Sequence, residues 1–478
     1  MRFPALLICL MAFGLALRAA PASDDPVEAI LVVTADQHSA YERTAQFVGL
    51  VDKLKTDHPG VPVAVLIDGD TLELGNAVAK RSGGAIEFAM FASLAQRAPT
   101  VLNLGNHEPE FYDLAATVAR VRATGVTVIG GNAIDRTTGK PFAPASTVLS
   151  LPAPPELPTK DFGARFERQP ARAEAPRHLE LTLVGLTTDR LATYRAAVRP
   201  SLDLADPVVW AKANLPSLLA GAAIPVVMSH AGLKADRAIL PLVPDGTLYV
   251  GAHDHLRLVQ ADTHAVYFHS GSWNEYASIA RLRRSNESGR YYWNVEQVRL
   301  ETAAPADPTL AALIHETFAR DLLPEDQAVV GHLAKALPPE AAARFAVEAV
   351  RQAAGADVAI VGATTFGGGL PAGDVTRFAL DGCVRFDGTI FVAVIDGARL
   401  QQILARCNQG PDTPFNARTG ENLIATTAGE IVAGRTYRVA TTDWLAKNPS
   451  AYFGPGELTF APRPELHLKA VVAGALVR

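Results

Sequence analysis

Cysteine is scarce, with three in 478 residues. Cys9 lies in an N-terminal apolar stretch, so Cys383 and Cys407 remain, enough for one disulfide at most or for two small buried hydrophobes. An excess of one charge is lacking as well. Lys and Arg number 44 against 49 Asp and Glu, a formal net charge of −5. That balance leaves no basic footprint for a nucleic-acid polymer or an anionic membrane surface. Beyond the N-terminus no apolar run approaches the ~20 residues of a membrane-spanning helix. No internal repeat or low-complexity block is present.

What is there begins with a targeting pattern. Arg2 precedes an almost wholly apolar run from Pro4 to Leu17, and Ala20-Pro21-Ala22 forms a small-residue cleavage site that leaves Ser23 first. Residues 1–22 are therefore expected to be an export signal, and bulky Ile8 before Cys9 argues against lipid attachment. The expected destination is periplasmic or extracellular. The length suits two or three domains, and 49% hydrophobic residues supply ample core.

From Ala29 to about Val298, short β-branched runs alternate with helical stretches. Strands are expected at Ala29–Thr34, Val61–Ile67, Val101–Leu104, Val126–Ile129, Leu179–Gly185, Ile224–Ser229, Thr247–Gly251 and Val266–Ser270. Helices are expected at Tyr41–Leu54, Ala85–Gln96 and Leu114–Ala123. Such alternation means βαβ units and layered α/β packing, in which ligands sit beyond the carboxyl ends of the strands. Pro152–Pro176 reads as a surface excursion. Thr309–Arg320 reads as a connecting helix, and a second α/β region starts near Glu325. The expected division is 27–300, a linker over 301–324, and 325–478.

Five short motifs fall at the strand ends: Asp36-Gln37-His38, Asp68-Gly69-Asp70, Gly105-Asn106-His107-Glu108, the lone His230, and Gly251-Ala252-His253-Asp254-His255. In D-x-H and H-x-H segments the outer side chains of an extended loop point the same way and can converge. Two divalent ions about 3.5–4 Å apart need a bridging carboxylate plus nitrogen and oxygen ligands from such loops. Imidazole and carboxylate suit zinc, manganese or iron, and an asparagine oxygen adds a ligand without charge.

These motifs, in this order, resemble the calcineurin-like metallophosphoesterases, and more closely their 5′-nucleotidase / UDP-sugar hydrolase branch. The resemblance implies a four-layer αββα metallophosphatase domain followed by a smaller α/β substrate-binding domain. It also implies two divalent metal ions. Asp36, His38, Asp70 and His255 would hold one, with Asp70 bridging, while Asn106, His230 and His253 would complete the second. His107 would stabilise the transferring phosphoryl group or protonate the leaving oxygen, and hydroxide held between the metals would attack phosphorus in line. Where the family has an aspartate orienting that histidine, this chain has Glu110, after Pro109. Gly131-Asn132 and Val184-Gly185-Leu186-Thr187-Thr188 are further matches.

The resemblance continues at Ala356–Ile360, Ala372–Thr376, Ile395–Gly397 and Tyr437–Thr441. The recognition residues of the second domain do not follow. The family's N-x-G-G-x-R falls on Gly362 to Gly367, so the phosphate-gripping arginine is a glycine. P-F-G-N becomes Arg385-Phe386-Asp387-Gly388, where Arg385 offers a replacement cation, and G-G-D-G-Y becomes Asn448–Tyr452. Phe415 and Tyr452 stand where the family clamps a nucleobase, although either equally suits an ordinary packing role. The expected protein is a monomeric, exported hydrolase of small phosphoesters, nucleotides among them. Two alternatives stay open: hydrolysis of cyclic phosphates or thiosulfonates, as in relatives of this architecture, and ligand binding on a retired enzyme scaffold.

Overall fold

The computed structural model describes residues 25–154 and 177–476. The expected signal segment, and residues 155–176 of the Pro-rich excursion, lie outside the described residues.

Val27–Ala35 alternates two buried faces. Ala29, Leu31 and Val33 join one core, while Ile30 and Val32 join another. That pattern demands cover on both sides and gets it. The strand pairs in parallel with Val63–Asp68, which continues to Thr100–Asn103 and Thr127–Ile129. On its other edge run two antiparallel strands, Tyr276–Arg284 and Tyr291–Arg299. A second six-stranded sheet has Ile224–His230 and Thr247–Gly251 at its centre, parallel to His178–Thr187 and Ala265–Ser270. Leu181, Leu183, Val226, Met228, Leu248 and Val250 meet the first sheet in one core. Helices Thr44–Asp57, Ala85–Arg97 and Leu114–Ala123 cover the outer face of the first sheet, and Pro207–Leu218 with Leu233–Ile239 cover that of the second. The result is four layers, αββα.

The expected connecting helix runs Pro308–Asp321 and packs on the first-sheet helices through buried Leu310. Asp307 caps it by accepting from the Leu310 amide at 2.6 Å and pairs with Arg97 while only 4% exposed. Asp307→Ala is expected to remove the cap and strand part of the arginine's charge, costing about 1–3 kcal/mol. A drop of several degrees in the midpoint of the first thermal transition would check this; an unchanged midpoint would refute it.

The second region carries a five-stranded sheet centred on Val358–Gly362, Thr436–Thr442 and Thr389–Asp396. Pro339–Ala353 and Leu468–Ala475 cover one face and Gly397–Leu404 the other. Cys383 and Cys407 are both free and buried, one in each of these two cores. Burial pushes both thiols up to about 12, so they serve as small hydrophobes and not as a bridge.

Candidate metal centre

All five motifs lie where their strands end. Asp36 and His38 follow Val27–Ala35, Asp70 follows Val63–Asp68, Asn106 and His107 follow Thr100–Asn103, His230 closes Ile224–His230, and His253 and His255 follow Thr247–Gly251. The backbone is held there in a conformation that L-residues avoid. Asp36, His38, Asp70, His253 and His255 have φ of 49°, 47°, 53°, 78° and 55°. Left-handed geometry at aspartate and histidine costs about 1 kcal/mol or more per residue and persists only where surroundings impose it.

Two groups of donors hold the expected ligands, Asp36, His38 and His255 in one and Asp70, His230 and His253 in the other; His107 enters two further groups, with His38 and Asp70 and with Glu73 and Glu110. His38 Nε2 is 2.9 Å from His255 Nε2, and each lies within 3.9 Å of Asp36 Oδ1. Asp70 Oδ2 lies 3.0 Å from His230 Nε2 and 3.9 Å from His38 Nε2, so this carboxylate touches both groups. Asn106 is 2% exposed, and its Oδ1 has no hydrogen-bond partner.

The lone pairs argue for cations. His230 Nδ1 is 2.7 Å from the Asp68 carbonyl, which can only accept, so Nδ1 carries the proton. Nε2 faces Asp70 Oδ2 and Asp36 Oδ1, and although burial opposes it these carboxylates hold the His230 pKa well above the usual range, so positive charge is favoured there, as a second proton or as a cation in its place. Burial, reinforced by neighbouring imidazoles, pushes His38, His253 and His255 well below the usual range. These three are neutral at ordinary pH, the form in which imidazole ligates. The residues present therefore fit divalent cations.

Surrounding groups fix the loops. Glu108 accepts from the amides of Gly105 at 2.6 Å, Thr71 at 3.0 Å and Asp70 at 3.2 Å, tying the second motif to the third. A Cβ on Gly105 would come within 2.3 Å of Asp70 Oδ1, so no larger residue fits. The two further matched segments meet each other. Asn132 exchanges bonds of 2.8 Å with the Thr187 amide and carbonyl, and the Gly131 amide donates to Gly185.

His107 is joined to Asp70 through its own amide, at 2.7 Å. Its Nδ1 stands 3.2 Å from Glu110 Oε1, so the longer carboxylate does reach the imidazole despite the proline. Glu73 was not singled out in the sequence, yet its Oε2 lies 3.4 Å from Nδ1 of both His107 and His38. Burial alone would lower the His107 pKa, but Asp70, Glu73 and Glu110 outweigh it and hold the group up to about 10.

Of the residues expected to touch substrate, only Arg385 reaches the cluster. It is buried, donates to the His38 carbonyl, and sits 4.8 Å over the Trp273 ring. A Cβ on Gly367 would meet Arg385 Cγ and Cδ at 3.0 Å, so the arginine stem fills the space beside that glycine. The expected nucleobase clamp is not assembled. The Phe415 ring packs edge-on to Tyr267 at 5.3 Å and under Arg237 at 4.8 Å. Tyr452 belongs to a core of the second region, its hydroxyl bonded to Trp444 at 2.9 Å.

Residues 334–423 match the family of the 5′-nucleotidase C-terminal domain. The fold matches a 5′-nucleotidase precursor from Thermus thermophilus (TM-score 0.61, 15% identity, 94% of this chain and 96% of that one). It matches a sulfate thiohydrolase, SoxB, from the same organism with TM-score 0.63 at 14% identity, over 94% of both chains. A 5′-nucleotidase from Candida albicans gives 0.60 at 11% identity, over 94% of this chain and 97% of that one. The chain has the two-domain 5′-nucleotidase fold. No curated protein sequence matches it. Within the 5′-nucleotidase fold, the cluster described above sits in the αββα domain, and Arg385 reaches it from the C-terminal domain.

Proposed function

We propose that the chain is an exported, dinuclear-metal phosphoester hydrolase acting on small phosphorylated metabolites, with nucleotides the first candidates. The observation that carries this reading is the convergence of Asp36, His38, Asp70, His230, His253 and His255 in two donor groups, beside a buried Asn106 whose Oδ1, like His230 Nε2, has no hydrogen-bond partner. Imidazole, carboxylate and amide oxygen without thiolate favour zinc, manganese or iron. Such cations would act as Lewis acids on a phosphoryl oxygen and supply a nucleophile from water at neutral pH.

The chain's own residues do the rest. Asp70 spans the two donor groups and, by accepting from the His107 amide, fixes that histidine relative to them. His107, oriented by Glu110, presents an imidazolium to the phosphoryl oxygens or the leaving oxygen. Arg385 adds a guanidinium at the rim in place of the side chain absent at Gly367. Residues 27–300 would form the catalytic domain, 301–324 the connection and 325–478 the substrate-selecting domain. Phe415 and Tyr452 would reach a base only after rearranging. A second reading, hydrolysis of a thiosulfonate, is favoured by the bare Gly367 together with the fold shared with a sulfate thiohydrolase.

The test is to purify the chain from Ser23, quantify bound metal, and assay phosphate release from AMP, UDP-glucose and p-nitrophenyl phosphate with added manganese, alongside an S-thiosulfonate. Metal at two equivalents with phosphate release supports the proposal. Loaded protein that cleaves only the thiosulfonate replaces it with the second reading, and loaded protein inert on the whole panel overturns both.

A further inference from the structure

A cavity of about 240 Å³ lies against the donor cluster, with His255 and Trp273 in one wall and the helix Pro339–Ala353 opposite. Three arginines line it: Arg257, Arg344 and Arg418. Arg344 is answered locally by Glu340 at 3.1 Å, and the remaining acid, Glu275, pairs with Arg299 at 3.3 Å. Arg257 and Arg418 have no carboxylate within ion-pair distance among the described residues.

Both are costly to keep in that state. Arg418 is 3% exposed, and its Nε and Nη2 are spent on the carbonyls of Thr413, Gly410 and Pro411 at 2.6 to 3.0 Å. Those bonds place the guanidinium without neutralising it. Arg257 is half-buried, with its guanidinium 4.5 Å over the Tyr276 ring. Burial, and then the nearby charge of Arg257, lowers the Arg418 pKa. Two guanidinium groups without an ion-pair partner walling a cavity, with Asp412 acting on Arg418 only from a distance, are what an anion requires.

We propose that this cavity, between His255 and the Arg257–Arg418 pair, receives a second anionic group of the substrate, so that the chain prefers phosphoesters carrying a further phosphate, carboxylate or sulfonate. The proposal rests on the phosphoesterase reading for its first anion but names a separate set of residues for the second. With one anionic end at the metals and the other on Arg257, the charged substrate is held at two points, and an ester with one anionic end forfeits the second.

The test compares 4-carboxyphenyl phosphate with its methyl ester, which has a similar leaving group and no second charge. The ratio of their kcat/KM values cancels differences in folding or metal loading. Wild type is expected to favour the acid by about tenfold or more, chiefly through KM, and Arg257→Gln to bring the ratio near one; Arg257→Lys should keep part of it. A second readout needs no turnover. Inorganic pyrophosphate titrated calorimetrically into chelator-treated protein should bind saturably, and about tenfold more weakly to Arg257→Gln. No preference in wild type, or a ratio unmoved by Arg257→Gln, overturns the proposal even if pyrophosphate binding weakens, because the pocket would then hold a free anion. If neither ester is cleaved, the phosphoesterase reading fails, while pyrophosphate binding that depends on Arg257 still upholds the anion pocket; its absence removes that too.

Discussion

Replacing Asp70 with alanine is expected to lower phosphate release roughly 10³-fold or more, beyond the ~10–100-fold that loss of a supporting partner costs a metal site. Its Oδ2 stands 3.0 Å from His230 and 3.9 Å from His38, one in each donor group, while Oδ1 holds the His107 amide at 2.7 Å. One substitution therefore removes a ligand shared by both groups and loosens the imidazole. Alanine also tolerates the φ of 53° at this position less well than aspartate does. Asp70→Asn separates the two effects, since the amide keeps the left-handed preference and can still accept from His107 but brings no charge. Metal content by mass spectrometry and phosphate release should fall together in both variants. Near-normal release by Asp70→Asn would mean that this carboxylate does not join the two groups.

His107→Gln should lower kcat by about 10²- to 10⁴-fold while metal content stays as in wild type. The imidazole lies next to the donor groups, but its Nδ1 is directed at Glu110 and Glu73, at 3.2 and 3.4 Å. Burial works against its charge and the carboxylates of Asp70, Glu73 and Glu110 prevail, holding the pKa at about 10. A raised pKa means the protonated form persists from acid through neutral pH, so the group has a proton to give. Cations at Asp70 would cancel much of that carboxylate's pull and bring the working value down from there. The loss should be larger for an alkyl phosphate than for p-nitrophenyl phosphate, whose leaving group departs without a proton. An equal loss on both, accompanied by lost metal, would make His107 a ligand instead of a proton donor.

The αββα half was legible because buried parallel strands write themselves as uninterrupted β-branched runs, and because the polar residues that follow are anomalous against that background. Ile224–Ser229 and Thr247–Gly251 could be read within a residue of their ends for this reason. Tyr276–Arg284 and Tyr291–Arg299 escaped notice. Both are antiparallel, and only Tyr291–Arg299 is an edge strand; its exposed Asn294, Glu296 and Arg299, and the arginines of Tyr276–Arg284, dilute the apolar signal. Glu73 and Glu108 were missed as supporting residues for a different reason. Their importance lies in contacts with His38, His107, Asp70 and Gly105, which sequence spacing does not encode. Phe415 shows how a pattern leaves two roles open. An aromatic at the expected offset satisfied the pattern, but Tyr267 and Arg237 already occupy its ring. Arg385 was suggested by its charge alone, and only the close approach to Gly367 and Trp273 gives it a place.

The Arg385 contact bears on self-sufficiency. All seven proposed donor side chains are encoded by residue 255, so on the proposed reading the αββα half carries the whole ligand set. Its outer wall is incomplete, however, because the guanidinium that seals the His38 carbonyl and the Trp273 face comes from much further on, at residue 385. A severed first half would leave that carbonyl and indole to water beside its most strained loop. The two halves are in this sense obligate, and a second domain borrowed from a relative would have to bring a plug of its own.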